Sequence, residues 1–178
     1  MTKVWAQHYW HSVPCAKARV NEIVRMARPE QGAQVTVLEA GCNEGFLSQA
    51  LIESGCNVTS VDNNPKMIKS AMLQFGIEVI QADINKLPFA DESFDIAIGG
   101  EVLEHIDNPG IGLSELFRVS REHVIISLPL GPYWLGEKTH KWQIEGINVE
   151  HDNGILTHLD KTMIIMEFKK RGAIDEII

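Results

Sequence analysis

Three acids close three successive β-like runs, and their placement suits a nucleoside-type ligand. Glu39 ends V-T-V-L-E, Asp62 ends N-V-T-S-V-D, and Asp83 follows the run from Ile77 to Gln81. After Glu39 comes the turn Gly41-Cys42-Asn43-Glu44-Gly45, then a helix-like segment, Phe46 to Glu53. A strand that feeds a glycine turn and then a helix leaves free backbone N–H groups at the carboxyl edge of a parallel sheet, where nucleotide-like ligands bind. An acid at the tip of the second strand is placed to hold a ribose diol through two carboxylate hydrogen bonds. Together the acids and the turn would bind a ribose, a purine and a cationic group. The run is not the G-x-G-x-x-G dinucleotide fingerprint, and Glu44 inside it would repel a pyrophosphate but not a sulfonium. The same residues also have plainer uses, since glycines make tight turns without a ligand and Asp caps turns.

The elements that must position these residues follow from periodicity. Pro14 opens a helix-like stretch with apolar Ala18, Ile23, Val24 and Ala27 and polar Lys17, Arg19, Glu22 and Arg25, closed by Arg28-Pro29. Val35 to Glu39 is a first strand. Phe46, Leu47, Ala50 and Leu51 recur at helical spacing, and Ser54-Gly55 stops that helix. A second strand, Asn57 to Val61, leads through Asp62 and Asn63-Asn64-Pro65 into a helix whose Met67, Ile68, Ala71 and Met72 read as core. Ile77 to Gln81 is a third strand. A turn-rich connector, Leu87 to Ser93, enters a fourth, Phe94 to Ile98, apolar enough to be buried on both faces and ended by Gly99-Gly100-Glu101. A helix from Pro109 to about Arg121 and a fifth strand from His123 to Leu128 complete the alternation, which predicts a parallel, doubly wound α/β sheet. Residues 130–143 read as a long loop, of the kind that carries function. Two further strands, roughly Trp142 to Glu150 and Thr162 to Lys170, are expected to form an antiparallel edge hairpin turned at Asn153-Gly154. Residues 1 to about 13, with Trp5, His8, Tyr9, Trp10 and His11, read either as core packing or as a lid, with Tyr9 and Trp10 closing over a ligand.

Composition bounds the partners. The chain has 178 residues, suited to one domain, and a formal charge of −8, which opposes a broad phosphate-binding surface and makes nucleic acid an unfavoured partner. Three cysteines, Cys15, Cys42 and Cys56, form no C-x-x-C pair and suggest neither a disulfide framework nor a zinc site, so no metal is expected and reduced thiols in a cytoplasm fit best. The N-terminus has no secretory h-region and no apolar run is long enough to span a membrane.

With these motifs in order, the chain resembles the class I S-adenosylmethionine (SAM) dependent methyltransferases, in their small-molecule, type 11 branch. The resemblance rests on V-L-E-A-G-C-N-E-G, S-V-D-N-N-P-K-M-I, Q-A-D-I-N-K-L-P-F-A-D-E-S-F-D-I-A-I and E-V-L-E-H-I, within residues 35–129. It implies a Rossmann-like, mostly parallel sheet of seven strands with an antiparallel C-terminal hairpin at the edge. It divides a single domain into an N-terminal lid and helix (1–34), a cofactor core (35–129) and an acceptor-side loop and hairpin (130–178). It also implies that SAM is the cofactor. Glu39 and Gly41 would lie near its methionine part, with Asn43 and Gly45 completing the turn. Asp62, beside Asn63, would hold the ribose, Asp83 and Ile84 would contact adenine, and the backbone through Gly99, Gly100 and Glu101 would line the sulfur side. Two departures stand out. Asn43 replaces the family's second glycine, which Asn tolerates through its access to left-handed backbone angles. The usual helix after the fifth strand is missing, so the acceptor site is built from fewer residues or completed by a second copy in a homodimer.

Methyl transfer by in-line displacement rests on positioning and desolvation, and needs a base only for a protonated acceptor. His105, His140 and Glu104 are the candidate bases, although His105 also suits a turn cap and His140 an exposed loop. The acceptor is expected to be a small molecule. Two other readings stay open. Glu101, Glu104, His105 and His140 resemble the metal set of small-RNA 2′-O-methyltransferases, and the chain could bind the cofactor, or nothing, as a noncatalytic scaffold.

Overall fold

In the computed structural model, which describes residues 14–28, 33–129, 154–160 and 163–169, the sheet grows outward from one central pair of strands. β1 (Thr36–Ala40) lies between β2 (Asn57–Asp62) and β4 (Phe94–Gly100), parallel to both, in a register that sets Glu39 beside Ser60 and Ala40 beside Val61. β3 (Val79–Gln81) extends the sheet beyond β2, and β5 (Ser120–Pro129) beyond β4. β7 (Met163–Lys169) then runs antiparallel to β5 and carries β6 (Gly154–Asp160) on its far side, giving the order β3-β2-β1-β4-β5-β7-β6. The chain winds outward from β1 to β3 and then returns to the other side of β1. The crevice at the carboxyl ends of β1 and β4 is therefore the topological switch point, where ligands of such sheets bind.

Alternation along the central strands buries both faces. Val37, Ile96, Ile98, Ile125 and Ile165 face α1 (Pro14–Ala27) and α2 (Phe46–Glu53), through Val20, Ile23, Ala27, Leu47 and Leu51. Leu38, Ala40, Ala97, Val124 and Ile126 face the opposite layer, where α4 (Pro109–Val119) brings Leu116 and Val119 and the connectors bring Ile84, Leu87 and Leu103. α3 (Pro65–Phe75) packs on β2 and β3; Pro65 opens it, the Asn64 side chain accepts from the Lys66 N–H at 3.1 Å, and Gly76 ends it at φ +70°.

Several expected boundaries move. On α1 the buried stripe is Ala16, Val20, Ile23 and Ala27, whereas Ala18 is exposed and Arg19 is mostly covered. Ile77 does not pair in β3 but packs beneath the glycine turn, near Gly45. β4 runs on through Gly99 and Gly100, α4 stops at Val119 and β5 starts at Ser120. The hairpin is turned elsewhere than at Asn153-Gly154: Gly154 opens β6 opposite Phe168, and the connection lies between Asp160 and Met163. β7 pairs with β5 from His123↔Lys169 to Pro129↔Met163, so its first residue lies at the carboxyl end of β5. Residues 1–13, the loop 130–143, the strand expected at 142–150 and His140 lie outside the described residues.

At the amino ends of the strands, opposite the switch point, Asp95 ties β1 to β4. Its carboxylate accepts from the Thr36 N–H at 2.7 Å and Oγ1 at 2.6 Å, and pairs with Arg121 Nη2 at 2.7 Å. Burial alone would raise this carboxyl, but the hydrogen bonds from Thr36 and Arg121 outweigh it and hold it below the ordinary 3.8. A depressed folded value contributes stability that is complete above the unfolded value and is lost as pH falls through the folded one. Asp95→Asn should thus cost about 1–3 kcal/mol at pH 7 and reduce the loss of stability on acidification, both read from urea unfolding at several pH values.

Candidate functional site

The turn after β1 works only with special backbone angles. Gly41, Asn43 and Gly45 sit at φ +79°, +52° and +85°. Asn43 thus takes the left-handed conformation that its side chain tolerates better than most. Gly41 is required for a second reason, since a Cβ there would lie 2.4 Å from Val102 Cγ2. The N–H groups of Gly41 and Cys42 both donate to the Val61 carbonyl, at 2.9 and 3.0 Å, so the turn is sewn to the end of β2. Cys42 is buried within it, and burial, reinforced by Glu39 and Asp62, pushes its thiol far above the usual range.

Asp62 joins this turn to the next. Its Oδ2 accepts from the Asn43 N–H and its Oδ1 from the Asn64 N–H, each at 2.8 Å, and the residue is only 8% exposed. A carboxylate has about four acceptor sites, so each oxygen keeps one for a ligand hydroxyl. Asn63 is exposed next to it, its carbonyl accepting from Gln81 Nε2 at 3.4 Å. Asp83 stands exposed beyond the end of β3, where its Oδ1 accepts from the Asn85 N–H at 2.9 Å, a turn-capping bond. The Ile84 side chain is committed to the core. Glu44 is buried toward α3, with Ser70 Oγ donating to it at 3.4 Å. Its proximity to a ligand, expected from its place in the turn, is thus reduced by that orientation.

On the β4 side the sequence missed one participant. Arg19, read as a polar position of α1, reaches Glu101, with Nη1 2.8 Å from Oε2, side chains 13% and 17% exposed. Glu101 has φ +50°, and its N–H donates to the Ser127 carbonyl at 2.9 Å. Glu39 is buried and accepts from Ser48 Oγ, which also lies 2.7 Å from Ser60 Oγ. Burial pushes Glu39 up to about 7, against the Ser48 hydrogen bond and the field of Arg19. Glu104, in the 3-10 turn Leu103–His105, is 1% exposed and neither carboxyl oxygen has a hydrogen-bond partner among the described residues. Burial, with Glu101 adding to it, pushes it up to about 8. His105 is the exposed neighbour, its Nε2 3.9 Å from Glu104 Oε1. The structure therefore brings Glu39, Gly41, Asn43, Gly45, Asp62, Gly100, Glu101 and Glu104 to the ends of β1, β2 and β4; Asp83 stays toward the periphery. The only available signal for Arg19 was its 3.6-residue phase: it adjoins the buried stripe through Val20 and Ile23.

Glu104 predicts a pH effect. Its folded value lies above the ordinary 4.5, so between 4.5 and about 8 the folded protein keeps a proton that the unfolded chain has lost, and stability falls as pH rises across that window. Glu104→Gln should differ little from the parent at pH 5 and be more stable at pH 9 by about 1–4 kcal/mol, measured by denaturant unfolding at the two pH values.

A family model described as a methyltransferase domain matches residues 38–128. The malonyl-[acyl-carrier protein] O-methyltransferase of Pectobacterium atrosepticum is 31% identical over 125 residues, covering 68% of this chain and 49% of that protein. The chain spans about half the length of the curated relatives it matches. Among solved structures, the N-methyltransferase NodS from Bradyrhizobium japonicum superposes with a TM-score of 0.69 at 18% identity, covering 89% of this chain and 98% of that one. The magnesium protoporphyrin IX methyltransferase of Synechocystis, solved with bound SAM, gives 0.64 at 19% identity, over 87% and 79%. At such identities the structural likeness speaks for the fold, and the family model spans the whole parallel core from β1 to β5. The chain belongs to the class I S-adenosylmethionine-dependent methyltransferase family.

Proposed function

We propose that the protein uses S-adenosylmethionine to methylate a small-molecule acceptor. The observation that carries this reading is Asp62: a buried carboxylate at the tip of β2, fixed by two backbone N–H groups and with acceptor capacity to spare, beside a turn of left-handed residues at the switch point. The surroundings fit the same ligand. Gly41 lets the turn pass tightly under Val102, and the buried Ser127 Oγ, which has no hydrogen-bond partner among the described residues, lies near the end of β5.

When bound, S-adenosylmethionine supplies a methyl group activated by positive charge on sulfur. The chain's part is to hold and orient. Asp62 accepts ribose hydroxyls and places negative potential near the cation, in a crevice whose burial strengthens that attraction. Alignment and exclusion of water then supply most of what a displacement needs. Of the base candidates His105 and Glu104, the exposed His105, whose side chain is 40% exposed with Glu104 Oε1 3.9 Å away, is the one we assign to take a proton from an acceptor hydroxyl or amine. The metal-assisted RNA reading has less support. Glu101 is engaged by Arg19 and Glu104 is enclosed. No helix among the described residues is long and apolar enough to cross a membrane.

Calorimetric titration with S-adenosylmethionine tests the assignment, with Asp62→Asn as the variant: it loses the charge, and its single amide oxygen keeps one of the two turn N–H bonds while its NH2 faces the other. Binding should weaken by about ten- to a hundredfold, the loss of one or two charge-assisted hydrogen bonds. No binding by the parent protein at millimolar cofactor would sink the reading. Transfer of labelled methyl to compounds of a metabolite extract separates an enzyme from a noncatalytic binder.

A further inference from the structure

The ion pair between α1 and the loop after β4 does more than fasten a helix. α1 is already anchored by Val20, Ile23 and Ala27 in the core, so Arg19 is not needed to dock it. Arg19 is spent instead on Glu101, a residue in a left-handed conformation that costs energy for any side chain but glycine. Two contacts hold Glu101 there, the guanidinium on its side chain and the Ser127 carbonyl on its N–H. The next residue, Val102, lies directly over Gly41, so close that a methyl group at Gly41 would overlap it, and it also borders Gly99. A continuous path of contacts thus runs from Arg19 through Glu101 and Val102 to the first glycine of the cofactor turn. Because both partners of the ion pair are largely covered, it is less screened by water than a surface pair.

We propose that Arg19 is a positioning residue for the cofactor turn, acting through Glu101 and Val102 and not by touching a ligand. The ligand side of the test rests on the S-adenosylmethionine reading; the backbone side does not. The variants are Arg19→Gln, Glu101→Gln, the two combined, and Arg19→Lys. Calorimetry gives the Kd of each for S-adenosylmethionine, decarboxylated S-adenosylmethionine and S-adenosylhomocysteine, and amide hydrogen exchange without ligand gives the protection of Gly41 and Cys42, whose N–H groups bond to Val61. Asn57, whose N–H bonds to Val35 at the other end of the sheet, is the control.

Each Gln substitution should weaken all three ligands by a similar factor of about ten, with the double variant no worse than the singles, as expected for one coupled pair. Arg19→Lys should recover most of the loss. Exchange at Gly41 and Cys42 should accelerate in Arg19→Gln with Asn57 unchanged. A loss confined to the ligands that carry a carboxylate would mean that the guanidinium touches the ligand, and would overturn the proposal. Additive losses, or unchanged exchange at Gly41 and Cys42, would overturn it as well. If the parent protein binds none of the three ligands while exchange at Gly41 and Cys42 responds, the methyltransferase reading fails and the positioning role stands.

Discussion

The arrangement depends on one carboxylate bonding to two turns at once. Asp62 receives the N–H of Asn43 from the turn after β1 and the N–H of Asn64 from the turn after β2. This is possible only because β1 and β2 are parallel and in a register that ends them side by side, Ala40 against Val61. Parallel strands need crossovers, and the crossover here is α2, which starts at the glycine turn itself. Sheet register, turn geometry and the placement of a buried charge are thus one constraint expressed three ways. Moving any of them would break the two bonds by which the Asn43 and Asn64 N–H groups reach Asp62.

Around that carboxylate the electrostatics are unbalanced. Glu39, Asp62, Glu101 and Glu104 crowd the strand ends, and Arg19 is the cation that the described structure sets against Glu101, while also lowering Glu39 and Glu104. A folded chain relieves such crowding by keeping protons, and does so at Glu39 and Glu104, which burial chiefly raises, with Asp62 and Glu101 respectively adding to it. It can also relieve it by taking in a positive ligand. A pyrophosphate would instead add to the crowding.

Much of this was readable in the residues because it obeys short-range rules. The parallel core followed from strand and helix periods, the glycine turn from residues that tolerate positive φ, and Asp62 from its place after a β-branched run. What escaped was set by contacts distant in sequence. The hairpin reverses between Asp160 and Met163, where β7 begins opposite the carboxyl end of β5, and nothing local to Asn153-Gly154 encodes that. Arg19 looked like a solvated helix position until the fold laid α1 across the end of β4. Asp83 is the converse case: its plain reading as a turn cap is what its bond to Asn85 shows, and no local pattern separates an acid that caps from one that caps and binds.

The buried sulfur in the turn has a chemical consequence. Cys42 lies within the turn after β1, and its burial, with the two acids beside it adding to that, raises the thiol and favours its protonated form. Only the thiolate attacks electrophiles or is readily oxidised. Under the S-adenosylmethionine reading proposed above, burial and electrostatics, not distance, would keep this sulfur from being alkylated by the cofactor.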